Sequence, residues 1–339
     1  MEKSLSGMMV EIVVKQTLKN IKDNPERGIR NLVDMALQFS TGKFEANFFT
    51  IIQTMLQNEN SAYYDLIRNT VKNTDVERLY TFGMNLGYNG CTEGAKRIRC
   101  SEEKLNCNIP WALSLQIDKL TFEEYHEKYD ALIYEGESLG IFTWMLFLLN
   151  HSAETLSLAR THSDSAFCIF CETEDLTPAF LDEVTKLNNI MLIVHYNENA
   201  DGFFDTLRKM GLLYSIWFQY GPEDVQAITS GNLFISTQQF SPAFTVLLPE
   251  ETCPREVRCS VYQAIKRARR EQSYQTVVFE LQGDSFLIDA IISGDACSIY
   301  FDKDGNLCDW EKKLESKHHN LFQNSLIDIL TSACSKEST

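Results

Sequence analysis

The sequence predicts an α/β protein with a parallel sheet, preceded by an all-helical N-terminal region. Two observations carry this expectation. The first hundred residues show helical spacing and no strand-like run of β-branched residues. From Ile109-Pro110-Trp111 onward, short apolar runs alternate with amphipathic segments. That alternation is the signature of βαβ units, and so of a barrel or an open parallel sheet.

The elements follow in order. Asn24-Pro25-Glu26 opens a helix, with Asn as cap and Pro in the first turn, and Ile29, Leu32, Val33, Met35 and Ala36 continue it at helical spacing. Residues 44–56 and 63–71 carry a similar period. Strands are expected at 111–117, 141–148, 166–171, 190–196, 213–219, 233–236, 244–248, 276–281 and 298–301. Helical patterns at 122–138, 177–187 and 200–210 lie between the earlier strands. Asp302-Lys-Asp-Gly-Asn306 reads as a hairpin turn with Gly supplying the positive φ, since a calcium loop would need further spaced oxygens and a late Glu. The tail from Leu321 to Leu330 reads as an amphipathic helix. The expected organisation is a helical domain at 1–106, an α/β domain at 107–310 and a helical tail at 311–339.

Composition narrows the partners. Lys and Arg number 31 against 47 Asp and Glu, a net charge of -16, which repels nucleic-acid phosphate and anionic membrane alike. The basic cluster Lys266-Arg267-Ala268-Arg269-Arg270 falls opposite Val261, Ile265 and Ala268 on a helical pattern and reads as a solvated face. No signal peptide is visible, and the longest apolar stretch, residues 141–149, is too short to span a bilayer, so a cytoplasmic protein is expected. The ten cysteines are then expected to be reduced. Cys168 and Cys171 form the one Cys-x-x-Cys, but a strand would turn them to opposite faces, and zinc would want a second pair.

Several segments in register resemble the radical S-adenosylmethionine (SAM) superfamily, in particular the group that includes the adenosylhopane synthase type. These are Asn85-Leu-Gly-Tyr-Asn-Gly-Cys-Thr-Glu-Gly-Ala-Lys-Arg-Ile-Arg99, Cys107-Asn-Ile-Pro-Trp-Ala-Leu113 and Ala131-Leu-Ile-Tyr-Glu-Gly-Glu-Ser-Leu-Gly-Ile141. Further matches are Ala179-Phe-Leu-Asp-Glu-Val184, Asp224-Val-Gln-Ala-Ile-Thr-Ser230, Asp289-Ala-Ile-Ile-Ser-Gly294 and Asp304-Gly-Asn306. The resemblance implies a partial (βα)6 radical-SAM-type barrel behind the helical N-terminal domain.

The departures from that family are concentrated at its working parts. The family carries Cys-x3-Cys-x2-Cys on the loop after its first strand, where three thiolates hold a [4Fe–4S] cluster and the open iron takes SAM. Here Trp111-Ala-Leu-Ser-Leu-Gln-Ile-Asp118 runs directly into Lys119-Leu-Thr-Phe-Glu-Glu124, as if the loop were deleted. The Gly-Gly-Glu-Pro turn that receives the SAM amino group corresponds to Leu148-Leu149-Asn150-His151. The Thr-Asn-Gly-Thr segment corresponds to Cys171-Glu172-Thr173-Glu174, and the Glu-Gly after strand four to Tyr196-Asn197. An auxiliary C-terminal Cys falls at Trp310, with Cys308 two residues early. Neither the cluster nor SAM is therefore expected as a cofactor.

Parallel barrels place working residues at the C-terminal ends of their strands. The candidate pocket there is Asp118, Asn150, Glu172, His195, Asn197, Gln219, Gln238 and Glu280, with His151, Tyr220, Gln239 and Asp284 nearby in the pattern. His195 reads either as a hydrogen-bonded rim histidine or as a ligand or acid–base group. A metal site of His151, His195 and Cys171 has no spacing signature, and no hydrolase motif is present. The expectation is a catalytically inactive pseudoenzyme that binds or regulates, its partner an active radical SAM relative or a small ligand. The opposing expectation is an enzyme with an unconventional cluster or new chemistry at the barrel mouth.

Overall fold

The computed structural model describes residues 5–21, 24–39, 53–54, 56–58, 60–149, 153–197, 201–297, 299–310 and 319–336. Most of the helix expected at 44–56 lies outside these residues. Nine strands are present among them: β1 (Ala112–Asp118), β2 (Thr143–Leu149), β3 (Ala166–Cys171), β4 (Ile190–His195), β5 (Tyr214–Tyr220), β6 (Phe244–Pro249), β7 (Val277–Glu280), β8 (Ile299–Phe301) and β9 (Leu307–Asp309). The chain forms two compact units, one of Met1–Tyr80 with Ile193–Leu281, the other of Thr81–Leu192 with Gln282–Thr339.

In the second unit, β1 pairs in parallel with β2 along its whole length, from Ala112 opposite Thr143 to Asp118 opposite Leu149. β3 continues the parallel ladder beyond β2, and β8 pairs in parallel on the other flank of β1. β9 returns antiparallel through the expected turn, where Gly305 has φ 78°. Every residue of β3 is buried, as its unbroken apolar run requires of a parallel strand covered on both faces. The helix Lys119–Leu139 connects β1 to β2 and ends at Gly140, whose φ of 112° forms the left-handed cap. Ahead of the sheet, a π-helical stretch Met84–Gly94 feeds the helix Ala95–Leu105, which stops at Asn106 in the left-handed region (φ 52°). The tail helix begins later than its periodicity suggests, at Leu326–Ala333 with Ser325 as cap, because Leu321 is tied to the hairpin through its amide and the Gly305 carbonyl (2.8 Å).

In the first unit, the helices Pro25–Phe39 and Tyr63–Asn73 stand where the sequence places them. β5, β6 and β7 form a parallel ladder, Phe244 opposite Val277 and Ile216 opposite Thr245. The helix Arg255–Glu271 buries Val261, Ala264, Ile265 and Ala268, leaving its basic cluster on the other face as expected. With Tyr220, Leu247 and Val278, the side chains of Val261 and Ile265 close an apolar core.

One expected strand is a helix. Residues 233–236 belong to Asn232–Thr237, in which Leu233, Phe234 and Thr237 are buried while Ile235 is 55% exposed. Burial at i, i+1 and i+4 is a helical stripe, and a run of three apolar residues is too short to show it. Gln238 and Gln239 therefore sit on a 3-10 turn, Gln238–Phe240, and not at the end of a strand. Among the described residues, no helix is long and apolar enough to cross a membrane.

Candidate functional site

The trailing ends of the parallel strands carry the candidate residues. Asp118 is the last residue of β1 and also the N-cap of the helix starting at Lys119. Its carboxylate accepts the Thr121 amide at 3.0 Å and the Thr121 hydroxyl at 2.9 Å. Burial alone would raise this carboxyl, but the Thr121 hydrogen bonds and the Lys303 charge outweigh it and hold it below the usual value. The strand and the helix share this residue, so no loop separates them.

At β3 a similar cap recurs. Glu172 follows Cys171, its amide donates to Asp175 Oδ2 at 2.7 Å, and its backbone carbonyl accepts the Asp175 amide at 3.1 Å. These two bonds seat the 3-10 turn Thr173–Asp175. Burial pushes the Cys168 thiol up to about 12, and burial with the nearby Asp175 and Glu172 charges pushes Cys171 well up too. Both are core thiols on opposite sides of one strand. Leu149 ends β2, and Asn150 and His151 lie outside the described residues.

In the first unit, His195 ends β4 half-buried and stacks on Trp217 of β5, ring centroids 4.2 Å apart. Asn197 follows it, also half-buried, and Gln219 is exposed near the end of β5. Glu280, at the end of β7, is only 4% exposed and lies 3.4 Å from the phenol of the fully buried Tyr220. Burial, and then the Glu280 charge, push the Tyr220 phenol far above its ordinary range. The structure thus brings Glu280 to Tyr220 and His195 to Trp217, while Asp118 and Glu172 each cap the element that comes after them.

Sequence reasoning missed a set of buried polar residues at the leading ends of the strands in the second unit. Asn85 Nδ2 donates to the carbonyls of Ser163 (2.8 Å) and Ser165 (2.9 Å), and Asn89 Nδ2 to that of Asp164 (2.8 Å). Asn189 Nδ2 reaches the carbonyls of Ala159, His162 and Ser165. His162, nearly buried, has Nε2 3.1 Å from Asp130 and Nδ1 3.3 Å from Glu137, which in turn accepts the Ser165 hydroxyl at 2.6 Å. Burial disfavours the imidazolium, but the Glu137 and Asp130 carboxylates win and raise its pKa. Buried Glu102 accepts the Ile109 amide at 2.9 Å, and buried Asp289 accepts the Trp111 amide at 2.7 Å. The carboxyl of Asp289 is pushed up to about 8 by its burial. The legible signal was Asn85 and Asn89 four apart in a glycine-rich stretch, and Asp289 in the middle of the apolar run Phe286-Leu-Ile-Asp-Ala-Ile-Ile292.

No protein-family model matches this chain, and no characterised protein matches it in sequence. Solved structures do share its fold. Streptococcus suis SuiB bound to S-adenosylmethionine superposes with a TM-score of 0.51 at 9% identity, over 70% of this chain and 68% of that one. SuiB in a second crystal structure gives 0.51 at 8% identity, covering 70% of each chain. What these structures share with this chain is the fold, parallel β-strands connected by helices. At these identities the likeness is one of fold.

Proposed function

We propose that this chain is a radical-SAM-fold protein without the family's cluster, a pseudoenzyme that binds or regulates instead of performing radical chemistry. The observation that carries the reading is the junction at Asp118. A three-thiolate cluster needs soft ligands gathered on one loop after the first strand. Here Asp118 ends β1 and caps the next helix through Thr121, so the residues at that place do not fit the group. Glu172, at the place of a family segment, is tied through its backbone amide and carbonyl to Asp175 in the turn that comes next. The partner in this reading is an active radical SAM relative, or a small ligand at the strand exits. The finer likeness, to the adenosylhopane synthase group, rests on the matched segments alone.

Anaerobic reconstitution with iron and sulfide, followed by metal analysis, electron paramagnetic resonance and SAM titration, tests it. The expected result is no stoichiometric cluster and no 5′-deoxyadenosine under a strong reductant. About four irons per chain, with reductive cleavage of SAM, would overturn the reading and restore an enzyme.

A further inference from the structure

Three cysteines from distant parts of the chain meet at the leading ends of β1 and β8, on the side away from the candidate pocket. Cys107 lies just before β1, Cys297 just before β8, and Cys334 at the end of the helix Leu326–Ala333. Cys297 Sγ donates to Cys334 Sγ at 3.1 Å. The backbone sets this approach from both sides. The Asn108 amide donates to the Cys334 carbonyl at 2.7 Å, the Lys336 amide to the Asn106 carbonyl at 3.0 Å, and Cys107 pairs with Ser335 in an antiparallel bridge. Asn108 Nδ2 also donates to Asp295 Oδ2 at 3.0 Å, which ties the segment before Cys297 to the same framework.

Exposure separates the roles of the three. Cys107 is fully buried, Cys297 is 5% exposed, and Cys334 is half-buried, the more accessible of the bonded pair. The hydrogen bond to Cys334, and then burial, push the Cys297 thiol well up, so Cys334 is the sulfur that a reagent reaches first.

We propose that Cys297 and Cys334 form a reversible disulfide that staples the end of the chain to the start of β8. The oxidant is a small disulfide such as oxidised glutathione. The Cys334 thiolate attacks one reagent sulfur, the reagent S–S bond breaks, and one glutathione leaves as its thiol with the proton that Cys334 gave up. The Cys297 thiolate then attacks Cys334 in the mixed disulfide and releases the second glutathione, which takes the proton of Cys297. Two protein thiols are oxidised and one reagent disulfide becomes two thiols. The sulfurs need to close by about 1 Å to reach bonding distance. The inference is independent of the function proposed above.

The test is peptide mapping of the full-length protein under non-reducing conditions, after equilibration in graded glutathione redox buffers. The Cys297–Cys334 linked peptide is expected at a less oxidising ratio than glutathione adducts on the exposed Cys100 and Cys259. The melting temperature should rise by several degrees and fall back on reduction. Both changes should vanish in Cys334→Ser. The proposal is overturned if the exposed cysteines react first and no 297–334 link forms, or if Cys107 supplies the dominant link. A stoichiometric zinc ion held by these thiols in the purified protein would overturn it as well.

Discussion

The two ends of the strands in the unit of Thr81–Leu192 and Gln282–Thr339 are built from different kinds of polar group. At the leading ends the polar side chains are buried and reach across long sequence separations, as Asp289 reaches Trp111 and Asn85 reaches Ser165. At the trailing ends Asp118 and Glu172 are half-buried and hydrogen-bond to residues three positions on. Segments that resemble the radical SAM family lie mainly on the first side, and the departures from it on the second. Parallel barrels use their leading ends for stability and their trailing ends for chemistry. The difference teaches that the leading ends are fastened by buried bonds between distant segments, whereas the trailing ends are shaped by local bonds to the turn that comes next.

Mutation can break this contrast. The largest effect is expected at Gly140, where φ is 112° and a Cβ would come 2.4 Å from the Gly94 carbonyl oxygen. Gly140→Ala should cost about 3 kcal/mol or more, from left-handed strain together with overpacking against backbone. Urea unfolding measures it, and a loss under about 1 kcal/mol would show that the two backbones need not meet.

Asp289→Ala comes next. It leaves the buried Trp111 amide without an acceptor and should cost about 2–3 kcal/mol in the same assay. Asp289→Asn, which can still accept that amide, should cost clearly less.

The same carboxyl sharpens the contrast through pH. Its folded pKa, about 8, lies above the unfolded value, so folding favours the protonated form. Its contribution is complete below about pH 4, declines as pH rises toward 8, and is gone above that. His162 adds a term of the same sign in a narrower window: its pKa is raised, so its stabilisation is present below about pH 6.5 and is lost as pH rises through the folded value. Unfolding midpoints from pH 5 to 9 should fall in the wild type, and Asp289→Asn should remove most of the slope. An unchanged slope would reassign it to other groups.

The smallest effect belongs to the trailing end. Asp118→Ala removes a helix cap and should cost about 1 kcal/mol. A loss as large as that of Asp289→Ala would erase the distinction between the two ends.

Local chemistry made much of this fold readable, and distance hid the rest. The run Ala166–Cys171 was legible to the residue because a strand covered on both faces is apolar throughout. The helix Asn232–Thr237 was misread because Leu-Phe-Ile carries no period by itself, although Gly231, with φ 84°, marks its start. At the candidate site, Asp118 was legible as a polar group at a strand exit. Its cap was written in Asp118-Lys-Leu-Thr121, a short-range pattern that is easily taken for part of a pocket. The meeting of Tyr220 with Glu280, or of Cys297 with Cys334, has no local signature, since each depends on where the topology places elements distant in sequence.

The π-helical stretch Met84–Gly94 has a consequence for how the chain can vary in length. Its wide turns aim Asn85 and Asn89 at three successive carbonyls while bringing Gly94 against Gly140. Removing one residue between them would rotate everything before the gap by roughly a quarter turn relative to everything after it, so either the asparagines or the glycine would lose their partner. Substitutions at Tyr88 or Thr92 leave that phasing intact, whereas a codon deletion between Asn85 and Gly94 would not.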